Sequence, residues 1–120
     1  MTGNKSKKTG SKGEEIAAKY LNSKGYDIKK KNFHFGKTGE IDIIAENNGT
    51  LVFIEVKSRK NEKYGDPLLS ITYGKQKSIR KVAQGYLYVN KIDDMECRFD
   101  VITVDLSKNP PEVNHMENAF

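Results

Sequence analysis

Cys97 is the chain's single cysteine, which excludes an internal disulfide and a thiolate cluster for a metal. The two histidines, His34 and His115, stand too far apart for metal-ligand spacing, so both are expected to be structural or exposed. No apolar run reaches the ~18 residues of a membrane span. The lysine-rich start lacks the apolar segment of a secretory signal, so a cytoplasmic protein with no membrane partner is expected. Also missing are a P-loop, a dinucleotide-binding glycine pattern and a serine-nucleophile motif. Neither an internal repeat nor a domain boundary interrupts the chain.

What is present is charge. Of 120 residues, 31% are charged and 36% hydrophobic, which is polar for a globular chain, yet the apolar periodicity argues against disorder. The net charge of +5 is moderate, but the lysines are clustered: Lys5 to Lys12, Lys29 to Lys31, Lys57 to Lys63, and Lys75 to Lys81 with Arg80. One such cluster is ordinary solubilising charge. Their recurrence points to a polyanionic partner.

Residues 1–10 carry no apolar pattern and are expected to form a flexible basic tail before a single domain, residues 11–120. Ser11-Lys12-Gly13-Glu14 fits a capping box, and Ile16, Ala17, Tyr20 and Leu21 continue as a helical stripe to about Lys24. Tyr26 to Phe35 reads as an edge strand interrupted by the lysine triplet. Ser58 to Pro67 reads as a surface loop. From Thr72, apolar Ile79, Val82, Ala83, Tyr86 and Leu87 define a basic amphipathic helix. Cys97 to Leu106 alternates as a strand, with Phe99 and Val101 on one side and Ile102 and Val104 on the other, and Glu112 to Met116 adds a short one. The order predicts an α/β fold, a mixed central sheet flanked by helices.

The most informative stretch is Gly39 to Lys57. Two apolar runs, Ile41 to Ala45 and Leu51 to Val56, flank Asn48-Gly49, the strongest short-range hairpin signal. With those two residues at the turn centre, Asp42 falls opposite Glu55 and Glu40 opposite Lys57. Opposed residues share a sheet face with Cβ atoms about 4.5–5.5 Å apart. Facing carboxylates repel, so a hard divalent cation between Asp42 and Glu55 is the simplest reason to place them together. Phosphodiester hydrolysis needs an activated water and charge compensation, which carboxylates holding Mg²⁺ or Mn²⁺ with a lysine beside them provide.

Asp42 followed by Glu55-Val56-Lys57 resembles the PD-(D/E)xK motif of restriction-endonuclease-like nucleases, with Ile41 where the proline would stand. Gly13-Glu14, Gly39-Glu40-Ile41-Asp42, Phe53 to Lys57, Lys75-Gln76, Cys97 to Val101 and Asn118-Ala119-Phe120 together resemble the YraN family of small bacterial proteins. That resemblance covers nearly the whole chain from Ser11. It implies a restriction-endonuclease-like fold close to Holliday-junction resolvases, with Glu14 as a further catalytic acid and a homodimer as the assembly.

The expected function is therefore a Mg²⁺- or Mn²⁺-dependent endonuclease cleaving DNA, in branched or structured form. Asp42 and Glu55 would hold the metal. Glu14 would assist, and Lys57 would position water or stabilise charge. Arg59, Lys60, Lys75, Gln76, Lys77, Arg80 and Lys81 would hold phosphates. The alternative is a non-catalytic nucleic-acid-binding protein that keeps the fold, and RNA is open as a substrate. Blander roles stand beside these: Glu14 bonding back to Ser11 as the capping acid, Lys57 pairing with Glu40, and Gln76 as a surface residue.

Overall fold

The computed structural model describes residues 3–60 and 71–120, with side chains from Ser11 onward. Helix α1 spans Gly3–Ser23 and is followed by strands β1 (Asp27–His34), β2 (Glu40–Asn47) and β3 (Thr50–Arg59). Helix α2 (Tyr73–Val89), β4 (Glu96–Asp105) and β5 (Glu112–Met116) complete the order. The strands form one five-stranded mixed sheet in the order β1-β2-β3-β4-β5. Only β3 and β4 run parallel, because α2 carries the chain back across the sheet between them.

A helix covers each face. On one, Ala17, Ala18 and Leu21 of α1 pack with Ile43, Ala45, Val52, Ile54, Ile102 and Val104. On the other, Ile79, Val82, Ala83 and Tyr86 of α2 pack with Ile41, Ile44, Leu51 and Phe53, and Phe99 joins them. Neighbours on β3 thus point into opposite cores, which explains why its apolar run is unbroken rather than alternating. Edge strand β1 shifts register between Ile28 and Lys30, and Lys29, Lys30 and Lys31 are exposed along it, a charged edge that discourages pairing with another chain.

Two expectations need correction. The helix does not begin at Ser11. It runs from Gly3, so the supposed capping box lies inside it; residues 3–10 contain no proline to stop propagation. Of the expected basic tail, residues 1–2 and the side chains of Lys5, Lys7 and Lys8 lie outside what is described. So does the loop expected to Pro67, from residue 61 onward.

The second correction concerns β2. Its ladder with β3 pairs Ile43 with Ile54 through Asn47 with Thr50, in the expected register, and Asn48 and Gly49 adopt φ of 50° and 82°, as a type I′ turn requires. The ladder stops one pair short of Asp42 and Glu55. Ile41 packs under α2 while Ile43 packs under α1, so the strand turns over at Asp42. Opposite this point on β1, Asn32 has a left-handed φ of 51° between the pairs Lys31–Ile43 and Phe33–Ile41. Glu40, expected to face Lys57, instead pairs with His34 on β1 at 2.9 Å.

Candidate active site

The turn-over frees Asp42 from regular pairing. Its Oδ2 accepts the backbone N–H of Val56 at 2.8 Å, so the side chain takes up a donor on β3 and is held beside Glu55 and Lys57. Both acids are deeply buried, Asp42 at 9% exposure and Glu55 at 7%. Burial is the main force on each. It raises the pKa of Asp42 to about 6 against the lowering effect of the Val56 N–H, and repulsion from Glu14 and Glu40 adds to it. Glu55 is raised by burial and then by the Asp42 charge, with Lys75 and Lys57 opposing.

Glu14 reaches the site from α1. Its proximity to Asp42 depends on a close approach of helix to strand, because Gly13 packs directly on Ser58 of β3 and a Cβ there would overlap the Ser58 side chain. The glycine before Glu14 is thus a spacing device. Glu14 faces Asp42 within the folded domain and is not the acid of a helix cap.

Two lysines complete the cluster. The pKa of Lys57 on β3 is lowered, first by burial and then by Lys75. Lys75, from the first turn of α2, places Nζ 3.2 Å from Glu55 Oε1. Burial opposes its charge, but the hydrogen bond with Lys57 and the charges of Glu55 and Asp42 prevail and raise its pKa. The two amines thus adjoin one another, with the charged form of Lys57 disfavoured and that of Lys75 favoured. The other oxygen of Glu55, Oε2, is buried with no hydrogen-bond partner among the described residues, as is Ser58 Oγ.

An uncompensated buried carboxylate oxygen beside a second buried carboxylate fits a hard cation. Mg²⁺ is commonly held through one or two carboxylates with waters and substrate phosphate filling the rest. Among the described residues no group of three or more His, Cys, Asp or Glu side chains is arranged to hold a metal ion. Asp42 and Glu55 are the two that would hold it, with Glu14 adjoining Asp42.

The remaining basic residues are dispersed. Arg59 lies 3.7 Å from Asp105. Lys60, Lys77, Arg80 and Lys81 are exposed, with Lys77 over the Tyr73 ring and Arg80 stacked 4.6 Å from the Phe99 centroid. Gln76 donates its amide to Ile71 O at 3.2 Å, so it secures the start of α2.

A second buried acid, unmarked by the sequence reading, has a different character. Asp100 is fully buried and accepts from Arg98 Nε at 2.9 Å, from the Asn118 N–H at 3.1 Å, and pairs with His115 Nε2 at 2.7 Å. His115 Nδ1 meets Tyr20 OH, and Arg98 Nη2 donates to Tyr26 OH. Burial alone would raise the Asp100 pKa, but the bonds from His115, Arg98 and Asn118 lower it. This acid is satisfied where Glu55 is not. It ties β4, β5 and α1 together, giving His115 the structural role expected of it. The two-residue spacing of Arg98 and Asp100 on a strand was the available signal.

The chain belongs to a known family. The model of the "uncharacterised protein family UPF0102", the YraN family, matches residues 13–104, from the glycine at the helix–strand contact through β4. Among similar chains, a UPF0102 protein of Alkaliphilus oremlandii is 49% identical over 95% of this chain and 98% of its own length. A UPF0102 protein of Clostridioides difficile is 45% identical over 95% and 97%, and one of Geobacter metallireducens 43% identical over 95% and 93%. The family resemblance read from the sequence is thereby borne out. Among the described residues no helix is long and apolar enough to cross a membrane.

Proposed function

We propose that this protein is a metal-dependent nuclease of restriction-endonuclease-like fold that hydrolyses DNA phosphodiester bonds, acting on branched or structured DNA. The observation that carries the reading is the buried pair Asp42 and Glu55, with Glu55 Oε2 left without a partner among the described residues and Lys57 alongside. Two adjacent buried acids sharing one protein ion pair, that of Lys75 with Glu55, are a costly arrangement for a fold to keep. The hairpin that delivers both acids and Lys57, flanked by a helix on each face, supports the fold assignment.

In this reading Asp42 and Glu55 hold Mg²⁺ or Mn²⁺, which supplies charge compensation for the phosphate and the leaving oxygen. Glu14 orients against Asp42. Lys57, beside both carboxylates, stabilises developing charge on the phosphate or fixes the attacking water in line. Lys77, Arg80 and Lys81 on the exposed face of α2 contact phosphates. A homodimer would present two such sites to paired strands.

The rival is a nucleic-acid-binding protein without catalysis, in which the Lys75–Glu55 ion pair and the Val56 N–H bond to Asp42 serve the fold alone. A cleavage screen over branched, flapped, single-stranded and duplex DNA, and over RNA, with Mn²⁺ or Mg²⁺, separates them. Cleavage by wild type that disappears in Asp42→Asn, with binding kept, is the expected result. Binding without cleavage of any substrate would leave the rival standing.

A further inference from the structure

Lys75 is one of several lysines on α2, yet its ammonium alone among them reaches the two buried acids. Its Nζ sits against Glu55 Oε1 at 3.2 Å, and it interacts favourably with Asp42 as well. A cation next to Glu55 and attracted by Asp42 is what the carboxylate pair calls for. In the metal-free chain that cation is an amino group supplied by the protein itself.

This has a consequence for ion uptake. A divalent ion between Asp42 and Glu55 would bring its charge close to Lys75 and Lys57, which already adjoin one another. One of the two has to yield. Both are half-buried, but Lys57 is fixed to β3 two residues from Glu55, whereas it is Lys75, in the first turn of α2 with its side chain 39% exposed, whose Nζ lies against Glu55 Oε1. Lys75 is therefore the group that an ion on Glu55 displaces.

We propose that Lys75 is a built-in counter-cation of this site: it holds Glu55 where a divalent ion binds, so metal uptake requires it to leave and frees its ammonium for an incoming phosphate. The inference rests on the reading of Asp42 and Glu55 as metal ligands. It makes Lys75 an antagonist of metal binding in the absence of substrate, the opposite of what a residue that merely shapes the site would be. Phosphate and metal then favour each other, because each removes the competitor of the other.

Direct titration of Mn²⁺, followed by the electron paramagnetic resonance signal of the free aquo ion, tests this at pH 8 on the whole chain without nucleic acid. Lys75→Gln and Lys75→Met remove the ammonium and leave the helix cap intact, since it is the backbone N–H of Lys75 that donates to Thr72 Oγ1. Both variants are expected to bind Mn²⁺ about tenfold more tightly than wild type, a change of ~1.4 kcal/mol. Lys75→Arg should stay within about twofold of wild type, because the charge is restored. Lys91→Gln, which removes an exposed charge elsewhere, should also stay near wild type.

The two readings fail differently. If Asp42→Asn abolishes Mn²⁺ binding but both Lys75 variants bind as wild type or more weakly, the metal site stands and the role of Lys75 is overturned. Tightening by Lys91→Gln equal to that by Lys75→Gln would reduce the effect to net charge and overturn it too. Absence of Mn²⁺ binding in wild type and in both Lys75 variants would overturn the metal site and the inference together.

Discussion

Asp42 accepts a hydrogen bond from the backbone N–H of Val56 at 2.8 Å, one residue beyond the last regular pair between β2 and β3. That single bond keeps the ionised form of Asp42 bearable. It does not balance burial, which holds the pKa at about 6, above the ordinary 3.8.

The linkage sign follows from that shift. Below pH ~4 Asp42 is protonated in both folded and unfolded chains and costs nothing. Between pH ~4 and ~6 the folded chain binds the proton more tightly, so stability is lost as pH rises, and the loss is complete above ~6. Asp42→Asn removes the titration. Its stability relative to wild type should therefore be more favourable at pH 7.5 than at pH 4.5 by about 2 kcal/mol, from roughly 1.4 kcal/mol per pKa unit. Urea denaturation at the two pH values checks this. A difference that does not change with pH would mean Asp42 is not held in its neutral form by the fold.

Mn²⁺ should reverse that penalty in wild type only. An ion that binds the folded chain stabilises it by ~2.7 kcal/mol at a hundredfold excess over Kd, which for a domain of this size raises Tm by roughly 8–15 °C. Thermal melts at pH 7.5 with and without Mn²⁺ provide the measurement. Asp42→Asn should show little or none of the rise. An equal rise in both proteins would locate the ion elsewhere.

Gly13 offers a test of how the site is spaced. Glycine inside a helix is less favourable than alanine by about 1 kcal/mol, so Gly13→Ala would stabilise α1 if space were the only unknown. A Cβ at this position overlaps the Ser58 side chain, including its Cβ at 2.8 Å, which a rotation of the hydroxyl does not relieve. The expected outcome is a net loss of about 1–3 kcal/mol as helix and strand move apart. Combining Gly13→Ala with Ser58→Gly should recover part of it, and a double-mutant cycle by chemical denaturation gives the coupling. Additive effects would show that α1 and β3 are not in close contact there.

Which features could be foreseen depended on how local their causes are. Asn48-Gly49 determined the turn and register through two residues' backbone preferences, and the apolar spacing of Ile79, Val82, Ala83 and Tyr86 determined the buried face of α2. The turning-over of β2 at Asp42 was not visible, because it involves Asn32 on one neighbour and Val56 on the other. Lys75 was read as one phosphate-binding lysine among several, since its contact with Glu55 exists only once α2 is docked on the sheet. Ser11 had the signature of a helix start, but a cap is decided by whether the preceding residues are themselves helical, and here they are. Asp100 went unmarked because its partners, Arg98 apart, come from the far end of the chain.

Asp100 gives the last expectation, which separates the structural acid from the candidate catalytic ones. Its lowered pKa means that its contribution to stability is fully present above the ordinary carboxylate value and is lost as pH falls below that value through the lowered one. Removing the carboxylate leaves Arg98 and His115 facing a buried site without their acceptor, a type of change that costs about 3–5 kcal/mol. Asp100→Ala should therefore destabilise strongly at pH 7, opposite in sign to the pH-dependent gain expected of Asp42→Asn. Hydrogen exchange should rise first in Glu112–Met116, because β5 is an edge strand held to β4 on one side and anchored through His115. If exchange in β5 stays at its wild-type level while the whole chain loses stability uniformly, Asp100 is not the anchor of that strand, and the ladder from Val101 to Asp105 is what holds it.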